Sequence, residues 1–186
     1  MNQDLVKIFR EISVLLEMKG VEFKPQAYEK VADSIEVLAE SVQDIYKRGG
    51  LKALEGIPGV GKGIAEKIEE YIKTGKVKEH TRFKKQMPID IEDLAAIEGV
   101  GPKMILKLYE KLGIKTRAQL EKAASQHLLS EKGGFGKKTE ENILRSIGFL
   151  KKEHGRYTLG EILPLADKIL ERIRSLPEVK GAELGG

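Results

Sequence analysis

Apolar side chains recur along this chain every three or four residues, and glycines interrupt the runs. Leu5, Ile8, Phe9, Ile12, Leu15 and Leu16 define a first helix that stops at Gly20. Pro25 suits the first turn of a second, with Ala27, Val31, Ile35 and Leu38 on one face. Ser41 precedes Asp44 by three residues, a capping pair for a short helix through Tyr46. Gly49-Gly50 breaks that helix, and Leu51 and Leu54 form an apolar pair after it.

Ile64, Ile68 and Ile72 then repeat every four residues up to Gly75. Residues 76–90 are polar and basic, with Pro88 near the end, and a domain boundary is expected there. The scheme then repeats: a short helix through Leu94 and Ile97, a run through Ile105, Leu108 and Leu112, and a stop at Gly113. Thr116 and Gln119 read as a capping box for a helix through Leu120 and Ala123. Gly133-Gly-Phe-Gly136 before Thr139–Ile147 reads as a third, degenerate turn and helix. Thr158 and Glu161 cap a final helix through Ile162, Leu165, Ile169, Ile173 and Leu176, ended by Pro177. No stretch alternates as a β-hairpin would. The expected fold is all-α, in two small helical units and a C-terminal helix.

Two turns stand out in this pattern. Ile57-Pro-Gly-Val-Gly61 and Ile97-Glu-Gly-Val-Gly101 each lie between an apolar pair and a helical run. A turn of this form leaves bare N–H groups at a helix N-terminus, where the dipole is positive and phosphate is favoured. A lone copy reads as a tight helix–helix corner that uses glycine for its backbone freedom. Two copies in one chain point instead to a grip on a polyphosphate backbone. Gly56 to Gly63 nearly matches a nucleotide P-loop, but Gly63 replaces the Ser or Thr that binds magnesium, and no strand precedes it.

Composition agrees with this picture. The 186 residues are 40% hydrophobic, enough for one ordinary domain or two or three small ones. The formal net charge of +4 is compatible with nucleic acid. The absence of cysteine excludes thiolate and disulfide chemistry. His80, His127 and His154 lie too far apart for metal-ligand spacing. The N-terminus shows no signal peptide and no stretch is apolar enough to span a membrane, so a soluble, intracellular protein is expected. Lys62, Lys67, Lys73, Lys76, Lys78, Arg82, Lys84 and Lys85 follow the first turn, interleaved with Glu66, Glu69, Glu70 and Glu79. Most of these read as solvated helix faces, and a few as phosphate contacts. Little in the chain reads bases, so any DNA binding is expected to be independent of sequence.

The turn pair resembles the tandem helix-hairpin-helix motifs of the family X DNA polymerases. The resemblance is carried by Ile57 through Lys76, by Ile97 through Pro102 with Leu112 through Thr116, and by Ala27 through Lys30, in an order and spacing that cover about residues 1–150. It implies a lyase-like helical domain over 1–84, a DNA-binding fingers or thumb domain over 88–150, and over 151–186 a linker with the start of a palm. Gly185-Gly186 would match the palm's first turn. The resemblance implies a DNA-directed DNA polymerase, a nucleotidyltransferase of base-excision and gap-filling repair. It also implies that the sequence stops before the catalytic aspartates and their Mg2+ or Mn2+, so that no polymerase activity is expected of it. Asp90 and Glu92 read as helix-start residues rather than metal ligands.

The resemblance further implies roles for particular residues. Lys67 matches the Schiff-base nucleophile that removes a 5′-deoxyribose phosphate. Tyr28 matches a tyrosine that orients that site, and Glu66 an adjacent acid. The reaction needs a neutral amine. A free lysine, with a pKa of about 10.4, is less than about 0.1% neutral at pH 7, so desolvation or neighbouring cations must help. Lys24 and Lys62 are expected as such neighbours and as phosphate holders. Three positions depart from the family: Gly63 and Glu79 stand where phosphate-binding lysines are found, and Phe23 where a histidine is. Each hairpin is expected to hold Na+ or K+ on backbone carbonyls, those of Glu55, Ile57 and Val60 and those of Ala95, Ile97 and Val100. The amides of Gly59, Gly61, Lys62, Gly99, Gly101 and Lys103 would face phosphates. The implied partner is gapped or nicked DNA, and the implied protein a nucleoid-associated monomer. A non-catalytic DNA-binding module of the same fold is the alternative reading, and a helical protein-interaction domain a further one.

Overall fold

The computed structural model of the chain describes residues 1–153 and Leu170. Ten helices follow one another over residues 2–153: α1 (Asn2–Met18), α2 (Lys24–Glu36), α3 (Val42–Glu55), α4 (Lys62–Thr74), α5 (Lys78–Gln86), α6 (Ile91–Ala95), α7 (Pro102–Leu112), α8 (Arg117–Ser125), α9 (Leu128–Glu131) and α10 (Lys137–Glu153). There is no strand among the described residues, so the fold is all-α as expected. Met1–Leu144 forms one compact unit, and Arg145–Gly186 belongs to a second. The final helix expected from Thr158 to Leu176 lies, apart from Leu170, outside the described residues, as do Gly185 and Gly186.

α1 is the spine of the first unit. Its spacing puts Leu5, Phe9, Ile12 and Leu15 on one stripe, and each is fully buried. The main cover is α2, whose Val31, Ala32 and Ile35 are equally buried. Phe9 packs on Tyr28 with ring centroids 5.6 Å apart at a tilted 54°. α1 also packs against α5, α6 and α7, so it touches both halves of the unit. An exposed ion pair, Lys7 to Glu92 at 3.0 Å, adds a small contribution between α1 and α6.

The local signals read from the sequence are found in place. The Ser41 hydroxyl accepts from the Asp44 amide at 3.2 Å and donates to the Asp44 carboxylate at 2.7 Å. Gly49 and Gly50 leave helical geometry within α3. Thr116 accepts from the Gln119 amide at 3.3 Å, whereas Gln119 Oε1 accepts from the Lys115 amide at 2.8 Å rather than from that of Thr116. Asp90 caps α6 through the Asp93 amide at 3.2 Å, which makes it a helix-start residue.

Residues 76–90, polar and basic, give no sign of a helix in the sequence. They contain a helix, α5, whose apolar residues are too few to mark one by periodicity. Tertiary contact supplies what the pattern lacks. Phe83 is buried, and Lys19 of α1 lies 4.4 Å over its ring and donates to Gln86 at 2.7 Å. Glu11 of α1 accepts from both His80 and Lys84 of α5.

Candidate nucleic-acid interface

The two glycine turns have the same hydrogen-bonding scheme. In the first, the Ile57 amide donates to Leu54 at 3.0 Å and the Val60 amide to Ile57 at 3.0 Å. In the second, Ile97 donates to Leu94 at 3.2 Å and Val100 to Ile97 at 3.0 Å. Ile57, Val60, Ile97 and Val100 are all buried and anchor the turns, while Pro58, Gly59, Gly61, Glu98, Gly99 and Gly101 stay exposed. Gly59 has φ 83° and Gly99 φ 81°, a left-handed conformation that a side chain would strain.

Each turn delivers its chain to a helix with no side-chain cap. Gly61 precedes α4 and Gly101 precedes α7, both in extended conformation. Among the described residues, the amides of Gly59, Gly61, Lys62 and Gly63 at the first hairpin meet no acceptor. The same holds for Gly99, Gly101 and Lys103 at the second, where Pro102 carries no amide. Open amides at a positive helix end form a donor edge suited to an anion. The Lys62 and Lys103 side chains are exposed beside these edges.

Glu66 and Lys67 lie one helical turn further along α4, and Tyr28 lies on α2. A pocket of about 560 Å³ separates Glu66, Lys67 and Glu70 of α4 from Lys78, Glu79 and Arg82 of α5. Lys67 Nζ is 3.4 Å from Glu79 Oε2 and donates to the Gly63 carbonyl at 3.3 Å. The same Glu79 oxygen accepts the Tyr28 hydroxyl at 2.7 Å. Burial pushes the Tyr28 phenol well above its ordinary pKa, and the Glu79 carboxylate beside it adds to the effect, so the hydroxyl stays a donor. Glu79 thus joins Tyr28 and Lys67, and Glu66 lines the same pocket. Lys24 and Lys62 do not line the pocket. Lys103 lies elsewhere, in a groove of about 820 Å³ shared with Phe23 and Glu22 at the α1–α2 corner.

Residues 1–77 match a family model described as a helix-hairpin-helix domain, and residues 91–148 one described as a SAM-like helix-hairpin-helix tandem. Each match contains one of the two turns. The DNA polymerase/3′-5′ exonuclease PolX of Bacillus subtilis (strain 168) is 32% identical over 178 residues, which are 95% of this chain and 30% of that protein. DNA polymerase lambda of Arabidopsis thaliana is 27% identical over 112 residues, 60% of this chain and 20% of that protein. Over 95% of its length the chain matches part of a family X DNA polymerase, of which it spans 30%.

Two features of the site are not legible in the sequence. The first is that Glu79, which the sequence shows as one of the interleaved carboxylates and as a departure, bridges Tyr28 and Lys67. The second is that Lys78 and Arg82 close the pocket from α5. The pocket therefore holds three cations and three carboxylates. The four-residue spacing of Lys78 and Arg82 was visible in the sequence, but without α5 it carried no direction. Among the described residues, no three His, Asp or Glu side chains cluster to hold a metal, and no helix is long and apolar enough to cross a membrane.

Proposed function

We propose that the chain binds DNA through its phosphate backbone, gripping it at both hairpins without reading sequence. The observation that carries this is the bonding scheme the two turns share, each leaving a row of amides open at a helix start. The reading extends to gapped or nicked DNA in base-excision and gap-filling repair, and to a monomeric chain in the nucleoid-bearing cytoplasm. The printed name of the Bacillus relative, a DNA polymerase and 3′-5′ exonuclease, supports it.

A monovalent cation, Na+ or K+, belongs to the same reading. The carbonyls of Glu55, Val60, Ala95 and Val100 accept no backbone hydrogen bond among the described residues, and those of Ile57 and Ile97 accept one each. Neutral oxygen donors of this kind suit an alkali ion. When bound, the ion would supply positive charge between the carbonyls and a DNA phosphate. Mg2+ or Mn2+ belongs to the palm chemistry of the family.

The test is fluorescence anisotropy on gapped, nicked and intact duplexes of unrelated sequence, over a range of salt. The expected result is affinity that falls linearly in log–log form with salt and changes little with sequence. A flat salt response would sink the proposal.

A second reading, 5′-deoxyribose-phosphate lyase chemistry, is favoured by Lys67 and Glu66 lining one pocket with Glu79, whose carboxylate also binds the Tyr28 hydroxyl. Lys67 would be the nucleophile, condensing with the sugar aldehyde to an imine with loss of water. Borohydride trapping on DNA bearing that group tests it. A covalent adduct that Lys67→Ala abolishes supports it; no adduct leaves the non-catalytic DNA-binding module.

A further inference from the structure

α5 has two unlike faces. The inner face is committed to α1, where Phe83 is buried and His80 and Lys84 both meet Glu11. The outer face carries Lys78, Arg82 and Lys85, four and three residues apart and therefore in one row. Lys76, just ahead of the helix, extends the row. These four cations line a groove of about 510 Å³ in which Thr74 and Thr81 also take part, and no carboxylate lines it.

The chain makes little use of these charges. Lys78 Nζ is 3.6 Å from Glu70, with 91% of its side chain exposed. Arg82 approaches Glu79 only to 4.0 Å and rests 5.4 Å over the Phe83 ring. Among the described residues, Lys76 and Lys85 pair with no carboxylate. A solvated helix face usually interleaves both signs, as the neighbouring pocket does with its three carboxylates. A row of like charge around an open groove repels itself, and an anion with repeated charges relieves that repulsion.

We propose that this row is a further contact for the DNA phosphate backbone, distinct from both hairpins. It rests on the DNA-binding reading above. α4 joins the two places: the first hairpin lies at its start and the groove at its end. Its 13 residues span roughly 20 Å at about 1.5 Å per residue, or roughly six base pairs of duplex at about 3.4 Å each. One strand held at the hairpin amides would have phosphates within reach of the row. Arg82 would grip a phosphate through its fork of N–H groups, and the lysines would act as point charges.

The experiment compares the full chain with a Lys76→Gln/Lys78→Gln/Lys85→Gln variant, which leaves the Arg82–Phe83 packing intact. A control, Lys47→Gln/Lys111→Gln/Lys122→Gln, removes the same charge from exposed positions elsewhere. Anisotropy on a gapped duplex gives the slope of log affinity against log salt. The row variant is expected to lose about 2 to 3 from that slope, about 0.9 per lost phosphate contact. The control should change it by less than about 1. An unchanged slope in the row variant, or an equal loss in the control, overturns the row as a contact while leaving the hairpin reading standing. A wild-type chain with no salt-dependent binding overturns both.

Discussion

One oxygen of Glu79 accepts the Tyr28 hydroxyl at 2.7 Å and faces Lys67 Nζ at 3.4 Å. A single carboxylate of α5 thereby ties α2 to α4. Tyr28 is buried, so its hydroxyl has little water to fall back on. Tyr28→Phe is expected to cost about 1.5–3 kcal/mol, the range for a hydrogen bond to a charged group. Combined with Glu79→Gln in a double-mutant cycle, it should show a coupling of about 0.5–3 kcal/mol. Urea melts of the four proteins give the number. Additivity within about 0.3 kcal/mol would mean that the bond contributes nothing measurable.

The two hairpins separate a backbone requirement from a steric one. Gly99 has φ 81° with open space around an added Cβ, so Gly99→Ala carries only backbone strain, expected at about 1–2 kcal/mol. Gly101 is extended at φ −88°, also in open space, and Gly101→Ala should be close to neutral in stability. Gly59→Ala adds to its strain a Cβ 3.2 Å from the Lys30 stem, so it should cost at least as much as Gly99→Ala. Thermal melts of the three variants check the order. Equal losses at Gly99 and Gly101 would contradict it.

Glu140 of α10 is buried, and it holds α9 by accepting from the Ser130 amide at 3.0 Å and the His127 ring at 2.7 Å. Burial raises its pKa, but these hydrogen bonds outweigh burial and the carboxyl stays below its ordinary value of 4.5. A lowered folded-state pKa stabilises above the unfolded value and stops doing so as pH falls through the folded one. The stability gap between wild type and Glu140→Gln should thus be full near neutral pH and shrink below pH 4.5. Tm measured from pH 7 to pH 3 reads it, and a constant gap would refute it.

The carbonyls around each turn bear on the choice of salt. If an alkali ion joins them to phosphate, replacing K+ by tetramethylammonium at constant ionic strength should weaken DNA binding several-fold, because the larger ion cannot be ringed by carbonyls. Anisotropy in the two salts measures it. Equal affinity in both would show that the amides act without a cation.

The sequence by itself determined the local parts of this protein. The turns at Ile57–Gly61 and Ile97–Gly101, the Ser41 and Thr116 caps and the buried stripe of α1 all depend on residues within a few positions of one another. Backbone sterics and helical periodicity are enough to read such features. The tertiary structure alone decided α5, since Phe83 is one apolar residue in a polar run, covered by Lys19 from a helix far away in the chain, where Glu11 also holds His80 and Lys84. It also decided that Glu79 serves Tyr28 and Lys67 together, and that Lys78, Arg82 and Lys85 are left outward. Which charges are consumed and which remain free depends on what packs against the opposite face, and no local pattern carries that information.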